Sequence, residues 1–392
     1  MLRTAAFRQA SLGRVRVEGL AGQTLDASMP AGRVGNPPSA EAINGTAQQR
    51  IRALDPLRIP GWDALVATHR EGTFFHGRGW ASVLHDTYGH RPIYFCRVRG
   101  ARLEGLLPVM EVSSPWTGRR GVSLPFTDLC GLLPGEDGLA RSLYEAAVRH
   151  GRDRGWAYLE CRNNDHAWPG AEASLAFRGH VIDLQRPEGD LFGSFAPSVR
   201  RSIRKAQDAG LGIQFAASPE AAREFYALHC LSRKRHGVPP QPFRYFENIA
   251  RRVLAEGSGF IVSARMGERT VAAAVFFHAG RRAFYKFGAS DYAYQHLRAN
   301  NLVMWEGIRR CAKLGCASLH LGRTSMSNEG LNQFKLRFGA QEESIEYCRY
   351  DFKRQAFAKS VDRADGWVNR VFRLLPSPLF RLAGQVLYPH LS

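Results

Sequence analysis

The sequence predicts an α/β protein of two tandem domains, in which mixed twisted sheets are flanked by helices. The first supporting observation is size, because 392 residues with 44% apolar content exceed what one ordinary core requires. The second is a helical pattern that ends at a glycine and leads directly into a strand pattern. The third is that this unit occurs twice, at an offset of about 160 to 170 residues.

The first copy of the unit lies in the first half of the chain. A hairpin pattern turns at Gly100, and a helical pattern over 142–154 is ended by Gly155. An alternating strand pattern, 156–162, follows at once. We therefore predict a first domain over 56–185.

Residues 1–55, before that domain, are rich in Arg, Gly, Ala and Pro. Arg14, Arg16 and Glu18 interrupt what would otherwise be the apolar core of a signal peptide. We expect this segment to be a disordered or poorly ordered tail.

The second copy repeats the order of the first. A hairpin pattern turns at Gly267, a helical pattern over 302–312 is ended by Gly315, and an alternating strand pattern covers 316–321. These elements predict a second domain over 186–352. The end of its last strand leads into a polar loop, where side chains are free to meet a ligand.

The C-terminal tail, 353–392, has a different character. Apolar residues recur at helical spacing from Val361 to Leu374 with arginines between them, and the pattern resumes at Leu379 after two prolines. This predicts a basic amphipathic helical tail. It either packs its apolar side on the main body or rests on an anionic membrane surface.

Charge is the clearest compositional signal. Lys and Arg number 54 against 35 Asp and Glu, which gives a formal net charge of +19 and favours anionic partners. The excess is concentrated on one predicted helix, in the basic residues Arg200, Arg201, Arg204 and Lys205. This cluster could hold a diphosphate, a tRNA acceptor end or a lipid headgroup, or it could be a solvated helix face.

Cysteine usage and hydropathy predict the compartment. The seven cysteines are odd in number, scattered and never in a C-x-x-C pair, so we expect neither a disulfide framework nor a structural metal. No apolar run reaches the roughly 18 to 20 residues of a membrane-spanning helix. The sequence therefore predicts a cytoplasmic protein, with peripheral contact to the inner face of the membrane as an option.

Residues 321–340, LGRTSMSNEGLNQFKLRFGA, resemble a motif of the FemAB family of N-acyltransferases, in particular its branch associated with PEP-CTERM/exosortase systems. That branch carries a pattern like FGRST, an acidic-Gly turn and FKxxxGA; here His320 and Leu321 stand where acidic and aromatic residues are expected. Residues 195–211 and 267–277 look like the family's basic helix and central hairpin. Because the family is built from GNAT-like folds, the resemblance implies two tandem GNAT-like domains and acyl transfer to an amine.

The resemblance also implies site residues. The pair Phe334 and Lys335 matches a Phe-Lys pair at the family's active cleft, which implies that Lys335 steadies negative charge on the donor. Arg323, at a strand end near Ser325 and Asn328, could hold a phosphate or carboxylate in a bidentate manner.

Two further residues are candidates for handling the proton of the amine. Asp291 could orient the amine or take its proton, or it could cap a turn. His320 could act as general base because histidine titrates near neutrality, or it could have a structural role.

The acyl donor stays open at this point. A coenzyme A site would show the pattern Q/R-x-x-G-x-G/A leading from a strand into a helix, and the only match noted, RDRGWA over 152–157, ends a helix and opens a strand instead. We therefore expect either an acyl-CoA or an aminoacyl-tRNA donor, with no further cofactor required.

The resemblance implies an N-acyltransferase acting on a small-molecule or lipid-linked glycan acceptor, a precursor of peptidoglycan, another envelope component or an exopolysaccharide. One alternative is an acetyl-CoA-dependent N-acetyltransferase of an amino sugar or small amine. The alternative from another class is a non-catalytic RNA-binding protein, which the net charge suggests but which would need aromatic stacking platforms among the basic residues.

Overall fold

The computed structural model describes residues 50–135, 138–162, 168, 170–359 and 367–391. Within them the strands are β1 (Arg52–Leu54), β2 (Arg91–Arg99), β3 (Arg102–Ser114), β4 (Gly118–Val122), β5 (Tyr158–Arg162), β6 (Leu175–Asp183), β7 (Gly212–Ala216), β8 (Gly259–Met266), β9 (Arg269–Ala279), β10 (Arg282–Ser290), β11 (Ser318–His320), β12 (Thr324–Ser325), β13 (Gln341–Asp351) and β14 (Ala356–Phe357). The α-helices are α1 (Trp62–Ala67), α2 (Arg78–Tyr88), α3 (Leu139–Asp153), α4 (Glu188–Gly193), α5 (Pro197–Asp208), α6 (Pro219–His236), α7 (Phe243–Ile249), α8 (Ala299–Lys313), α9 (Glu329–Leu336), α10 (Trp367–Leu374) and α11 (Ser377–Leu387).

These strands form one mixed sheet, flanked by helices, which confirms the predicted α/β fold. The order is β1-β2-β3-β4-β5-β13-β6-β11-β10-β9-β8-β7, with β12 beside β6 and β14 beside β13. The predicted repeat is visible in its topology. β2-β3-β4-α3-β5 and β8-β9-β10-α8-β11 each form an antiparallel meander, a helix, and a strand parallel to the last strand of the meander.

Strand β13 joins the two repeats. It pairs antiparallel with β5 on one side, Cys348 opposite Cys161, and with β6 on the other, Ile345 opposite Phe177. β5 and β6 are consecutive along the chain but leave a gap that a strand from near the chain's end fills. The sheets of the two predicted domains are therefore hydrogen-bonded into one.

The centre of the sheet is buried on both faces. Along β9, Val275 and Phe277 belong to a core formed with α1, α2, α6 and α7, whereas Ala274 and Phe276 belong to a second core formed with α5 and α8. Burial on both faces explains why the sequence over 271–277 is continuously apolar rather than alternating. A third core lies between α3 and the strands of the first repeat.

Two segments differ in detail from the sequence prediction. Residues 52–54, placed in the predicted tail, form β1 because they pair with β2 at the edge of the sheet. Helix α8 begins at Ala299, three residues before the start of its sequence pattern over 302–312, and Gly315, with a φ of 79°, follows its end. Residues 1–49 of the tail, and Val361 in the C-terminal pattern, lie outside the described residues.

No helix in the described part of the chain is long and apolar enough to cross a membrane.

Candidate functional site

Two neighbouring strands separate at the middle of the sheet. β10 and β11 run parallel for three residue pairs and end their pairing at Phe284 and His320. Beyond His320 the chain turns at Gly322, with a φ of 76°, and β12 pairs with β6, while β10 continues beside β9 to Ser290. The resulting opening, between residues 286–290 and 322–325, is called the wedge below.

Four charged side chains meet at the wedge. Lys286 Nζ donates to Asp128 Oδ2 at 3.0 Å, and Arg323 Nε lies 3.8 Å from Asp128 Oδ1. Lys335 Nζ donates to the carbonyl oxygens of Gly322, at 2.7 Å, and Arg323, at 3.1 Å. Asp128, Lys286, Arg323 and Lys335 are called the wedge cluster. Asp128 comes from a loop packed on the first core, and Lys335 comes from α9, which packs on the second.

Burial sets the protonation of this cluster. It lowers the pKa of Lys335 to about 8, partly offset by the charge of Asp128, and it also lowers the pKa of Lys286. Burial alone would raise the pKa of Asp128, but the charges of Lys286 and Arg323 outweigh it and hold that pKa below its usual value. Asp128 is therefore an anion near neutral pH, and Lys335 changes charge within the range where enzymes commonly work.

A second set of side chains holds the loop that carries Asp128. Arg162 Nη1 donates to the carbonyl oxygen of Thr127 at 2.9 Å, and Tyr347 Oη donates to that of Asp128 at 2.7 Å. The carboxylate of Glu160 accepts hydrogen bonds from Arg162 Nη2 at 3.1 Å and from Arg349 Nη2 at 2.5 Å. The backbone of Asp128 is thus fixed by β5 and β13, one strand of the first repeat and the strand that joins the repeats.

The same loop contains backbone strain. Leu124 and Phe126 have φ values of 57° and 61°, in the left-handed region that side chains with a Cβ rarely adopt. Such strain persists only where surrounding contacts enforce it, and it is typical of functional sites. Here the hydrogen bonds from Arg162 and Tyr347 supply that enforcement.

The cluster and its supports carry more positive than negative charge. Arg162, Lys286, Arg323, Lys335 and Arg349 are five cations against the two anions Asp128 and Glu160. A formal excess of three positive charges at a strand end attracts anionic ligands and stabilises negative charge that develops during a reaction.

A cavity of about 390 Å³ lies beside the wedge cluster. Its lining includes residues 129–133 together with the polar residues Glu71, His76, Arg282, His320 and Glu343. Burial lowers the pKa of His76 to about 4, so this ring is neutral at pH 7. The volume is at the lower end of the range of small-molecule sites in proteins.

His320 and Glu343 form a hydrogen-bonded pair in the cavity wall. The backbone N–H of Gly322 donates to His320 Nδ1 at 2.9 Å, so the ring proton is on Nε2, which donates to Glu343 Oε1 at 3.0 Å. The hydrogen bond from His320 outweighs burial and lowers the pKa of Glu343. Both ring nitrogens of His320 are therefore engaged in hydrogen bonds. Of the pair, Glu343 is the residue whose side chain is exposed.

The cavity and the wedge cluster share two short stretches of chain. The first stretch is 320–323. It connects His320, in the cavity wall, to Gly322 and Arg323, whose carbonyl oxygens accept hydrogen bonds from Lys335. Residues 128–131 connect Asp128 to the cavity lining in the same way. The cavity lining and the wedge cluster are thus linked by a few residues of chain at two places.

The other residues singled out in the sequence are held in local contacts. Asp291 accepts from Ala293 N–H at 3.1 Å and pairs with Arg269 at 2.8 Å, so both carboxylate oxygens are engaged. It directly follows the end of β10, five residues beyond Lys286, which corresponds to about 16 Å of extended chain. The turn-capping alternative for Asp291 thus matches the geometry.

The polar residues after β11 serve their own loop. Ser325 Oγ and Ser327 Oγ lie 3.2 Å apart, and Asn328 caps α9 by accepting from the Leu331 N–H at 3.1 Å. Phe334 packs with Phe338 at 5.2 Å between ring centroids. The guanidinium of Arg323 lies instead over the ring of Phe177, at 4.3 Å, and faces Asp128.

The predicted basic helix exists as α5. Arg201, Arg204 and Lys205 are exposed on it, and Arg200 is partly buried. Within the described residues, no carboxylate pairs with any of the four. Ala196 N–H donates to Arg337 O at 2.9 Å, so the start of α5 adjoins the end of α9, the helix that carries Lys335.

The sequence analysis missed Asp128, Lys286 and Glu343. Lys286 had a visible signal, because it is a charged residue in the apolar strand sequence RAFYKFGAS. Asp128 lies in the segment SLPFTDLCGLL, residues 123–133, but nothing local relates it to a lysine 158 positions away. Only the fold brings them together.

Comparisons with known proteins concern the fold of the chain and the family that residues 193–336 match. Residues 193–336, which include Lys286, Arg323 and Lys335, match the family model described as an acetyltransferase (GNAT) domain. A crystal structure of FemX superposes with a TM-score of 0.62 at 13% identity and covers 74% of this chain and 95% of its own. L-PGS from Bacillus licheniformis gives a TM-score of 0.47 at 12% identity, with 79% and 96% covered. A tandem GNAT protein from the clavulanic acid biosynthesis pathway gives 0.45 at 10%, with 80% and 99% covered. No curated protein matches the chain.

Proposed function

Because the chain is an acyltransferase with a GNAT domain over residues 193–336, we propose that it transfers an acyl or aminoacyl group to an amine of a cell-envelope or exopolysaccharide precursor. The observation that carries the proposal is the wedge cluster, with its excess of positive charge beside a cavity. The acyltransferase assignment overturns the non-catalytic alternative of the sequence analysis. The envelope or exopolysaccharide acceptor rests on the resemblance of residues 321–340 to the FemAB family.

The chemistry assigns a role to each part of the site. The amine nitrogen attacks the carbonyl carbon of the donor, and the carbonyl oxygen becomes an oxyanion, which Lys335 and Arg323 stabilise. When the oxyanion collapses, the bond from the carbonyl carbon to the donor's sulfur or ester oxygen breaks, and the leaving group takes the electron pair. Glu343, held by His320, receives the proton of the amine and passes it by way of solvent to the leaving group.

The cavity is the proposed acceptor site. The carboxylates of Glu71 and Glu343 suit an amine, and Arg282 suits an anionic group on the same molecule. A volume of about 390 Å³ accommodates one sugar or amino acid unit rather than a polymer. The acceptor is therefore a glycan unit or small molecule that carries an amine, and a lipid attached to it would remain outside the cavity.

The two donor classes make different demands on the start of α8. Residues 295–300, QHLRAN, follow β10 and include the first two residues of α8, where a GNAT phosphate loop would carry glycines. Arg298 takes the first of these positions with a φ of 59°, and Asn300 takes the second. This departure favours aminoacyl-tRNA over coenzyme A, whereas the description of the matched family favours acetyl transfer.

The test is calorimetric titration of the full chain with acetyl-CoA, a long-chain acyl-CoA, aminoacyl-tRNA and deacylated tRNA, at low and physiological salt. Binding that requires the aminoacyl group, followed by transfer to an amino sugar or peptide amine, supports the aminoacyl donor. Saturable acyl-CoA binding with transfer selects the acetyltransferase alternative. Arg200→Ala with Arg204→Ala should flatten the salt dependence of donor binding, and Arg141→Ala, on α3, is the control. Absence of transfer from every donor to every amine would contradict the proposal.

Activity should fall as the pH rises through about 8. Burial lowers the pKa of Lys335 to that value, so the cation that stabilises the oxyanion is lost above it. Lys335→Arg keeps a charge at all these pH values, so its activity, although lower, should not show this decline. The measurement is kcat between pH 6 and 10 for both proteins, and an identical alkaline decline in the two would exclude Lys335 as its cause.

A further inference from the structure

Helix α11 is fixed to the body of the protein along one side. Phe380, Gly384 and Tyr388 are buried there at helical spacing, and a Cβ added to Gly384 would meet the carbonyl oxygen of Pro240. Tyr388 Oη donates to Pro239 O at 3.2 Å. The packing alternative for the C-terminal tail is thus realised on this side of the helix.

The opposite side of the tail is apolar and exposed. On α11, Leu379, Leu382 and Val386 are spaced at i, i+3 and i+7 and are between 47% and 51% exposed. On α10, Val371 is 47% exposed and Leu374, at the end of the helix, is 85% exposed. These five residues are called the outer stripe. Because another stripe of α11 already packs on the core, the outer stripe is not needed for folding.

The surroundings of the outer stripe are basic. Residues 367–391 contain Arg370, Arg373 and Arg381 and no Asp or Glu, and all three arginines are exposed. The end of α6 adds Lys234, which donates to the carbonyl of Leu375, and Arg235, which lies 4.9 Å from the centre of the exposed Tyr292 ring. In the described residues, no carboxylate pairs with any of these five cations.

We propose that α10 and α11 dock the protein on an anionic membrane surface, with the outer stripe inserted at the level of the lipid headgroups and the arginines on lipid phosphates. A helix with an apolar stripe and arginines beside it is the pattern of helices that lie in a bilayer interface. Phosphate-bearing lipid complements residues 367–391, which contain three arginines and no Asp or Glu. Because α11 is already held by the core, docking needs no folding of this helix.

The occupant follows from the combination of charge and shape. An RNA would use the arginines but would leave aliphatic side chains in water, since RNA-binding surfaces present aromatic rings to bases. A second copy of this chain would bring the same cations against each other, which repels. An anionic bilayer satisfies both the aliphatic and the cationic groups. The docking proposal does not depend on the acyl transfer reaction, but it would bring the enzyme to a lipid-linked acceptor.

The experiment is cosedimentation of the full chain with vesicles of phosphatidylcholine alone and with about one third phosphatidylglycerol. We expect binding to the anionic vesicles to be at least tenfold stronger and to weaken with salt. Leu379→Asp with Leu382→Asp should reduce it by more than about tenfold, because two leucines lose their insertion. Met266→Asp, at a 50% exposed site on the β8–β9 hairpin, is the matched control and should bind like the wild type.

Several outcomes would overturn the proposal. They are equal binding to neutral and anionic vesicles, full binding by the outer-stripe variant, and a dimer that dissociates in this variant without any vesicle binding. Competition by tRNA together with full binding by the outer-stripe variant would assign the patch to nucleic acid instead. Thermal melts should show that the variant is folded, since both leucines are exposed.

Discussion

Replacing Lys335 with methionine should lower kcat for acyl transfer by about 100-fold to 1,000-fold, with little change in donor affinity. The substitution retains the length of the side chain and removes the cation that we propose stabilises the developing oxyanion, and losing one such group typically has an effect of this size. The measurement is single-turnover transfer with saturating donor. Lys313→Met, at an exposed lysine at the end of α8, is the control and should leave kcat unchanged.

The substitution also removes two hydrogen bonds, to the carbonyls of Gly322 and Arg323. We expect the free energy of unfolding to decrease by about 1–3 kcal/mol, which a folded domain of this size tolerates. Urea denaturation separates this structural effect from the catalytic one. A kcat that stays within a few-fold of the wild type would remove Lys335 from the reaction.

Replacing Asp128 with asparagine should decrease the free energy of unfolding by about 3 kcal/mol. Lys286 is only 5% exposed, so its ammonium group would be left buried without its counter-ion. Asp128 itself is 28% exposed, which keeps the expected loss at the lower end of the range for buried pairs. Adding Lys286→Met should recover part of the loss, because an apolar side chain of similar length tolerates burial.

The control for this substitution is Asp86→Asn. Asp86 pairs with Arg252 at 2.8 Å on the surface, where one ion pair contributes less than about 1 kcal/mol. Equal losses for Asp128→Asn and Asp86→Asn in urea denaturation would show that the wedge cluster is not an energetically coupled unit.

The contribution of Asp128 to the free energy of unfolding should decrease at low pH. The pKa of Asp128 is lower in the folded protein than its usual value of 3.8, so the stabilisation is complete above that value and is lost as the pH falls through the folded pKa. Acid unfolding of the wild type should therefore contain a component that Asp128→Asn lacks.

The sequence specified local structure well and long-range pairing poorly, and particular residues show why. The helix that Gly315 follows and the hairpins at Gly100 and Gly267 could be predicted, since periodicity and turn residues act over a few positions. The partnership of Asp128 with Lys286, and the placement of β13 between β5 and β6, could not be predicted, because pairings over such distances leave no periodic signal. The sequence also left two alternatives for the C-terminal tail, packing on the main body and contact with an anionic membrane. They concern opposite sides of α11: its buried side packs on the body, and the outer stripe is the side that we propose contacts the membrane.

The position of β13 also has a consequence for how the protein is made. Residues 341–351 leave the ribosome about 180 residues after β5, an interval of roughly 10–35 s at ordinary rates of synthesis. Until then β5 and β6 both present open edges with unpaired N–H and C=O groups, which are templates for pairing with other chains. A nascent or truncated chain that ends before Gln341 would therefore expose the unpaired edges of β5 and β6. In the cell, chaperones would have to protect these edges from pairing with other chains.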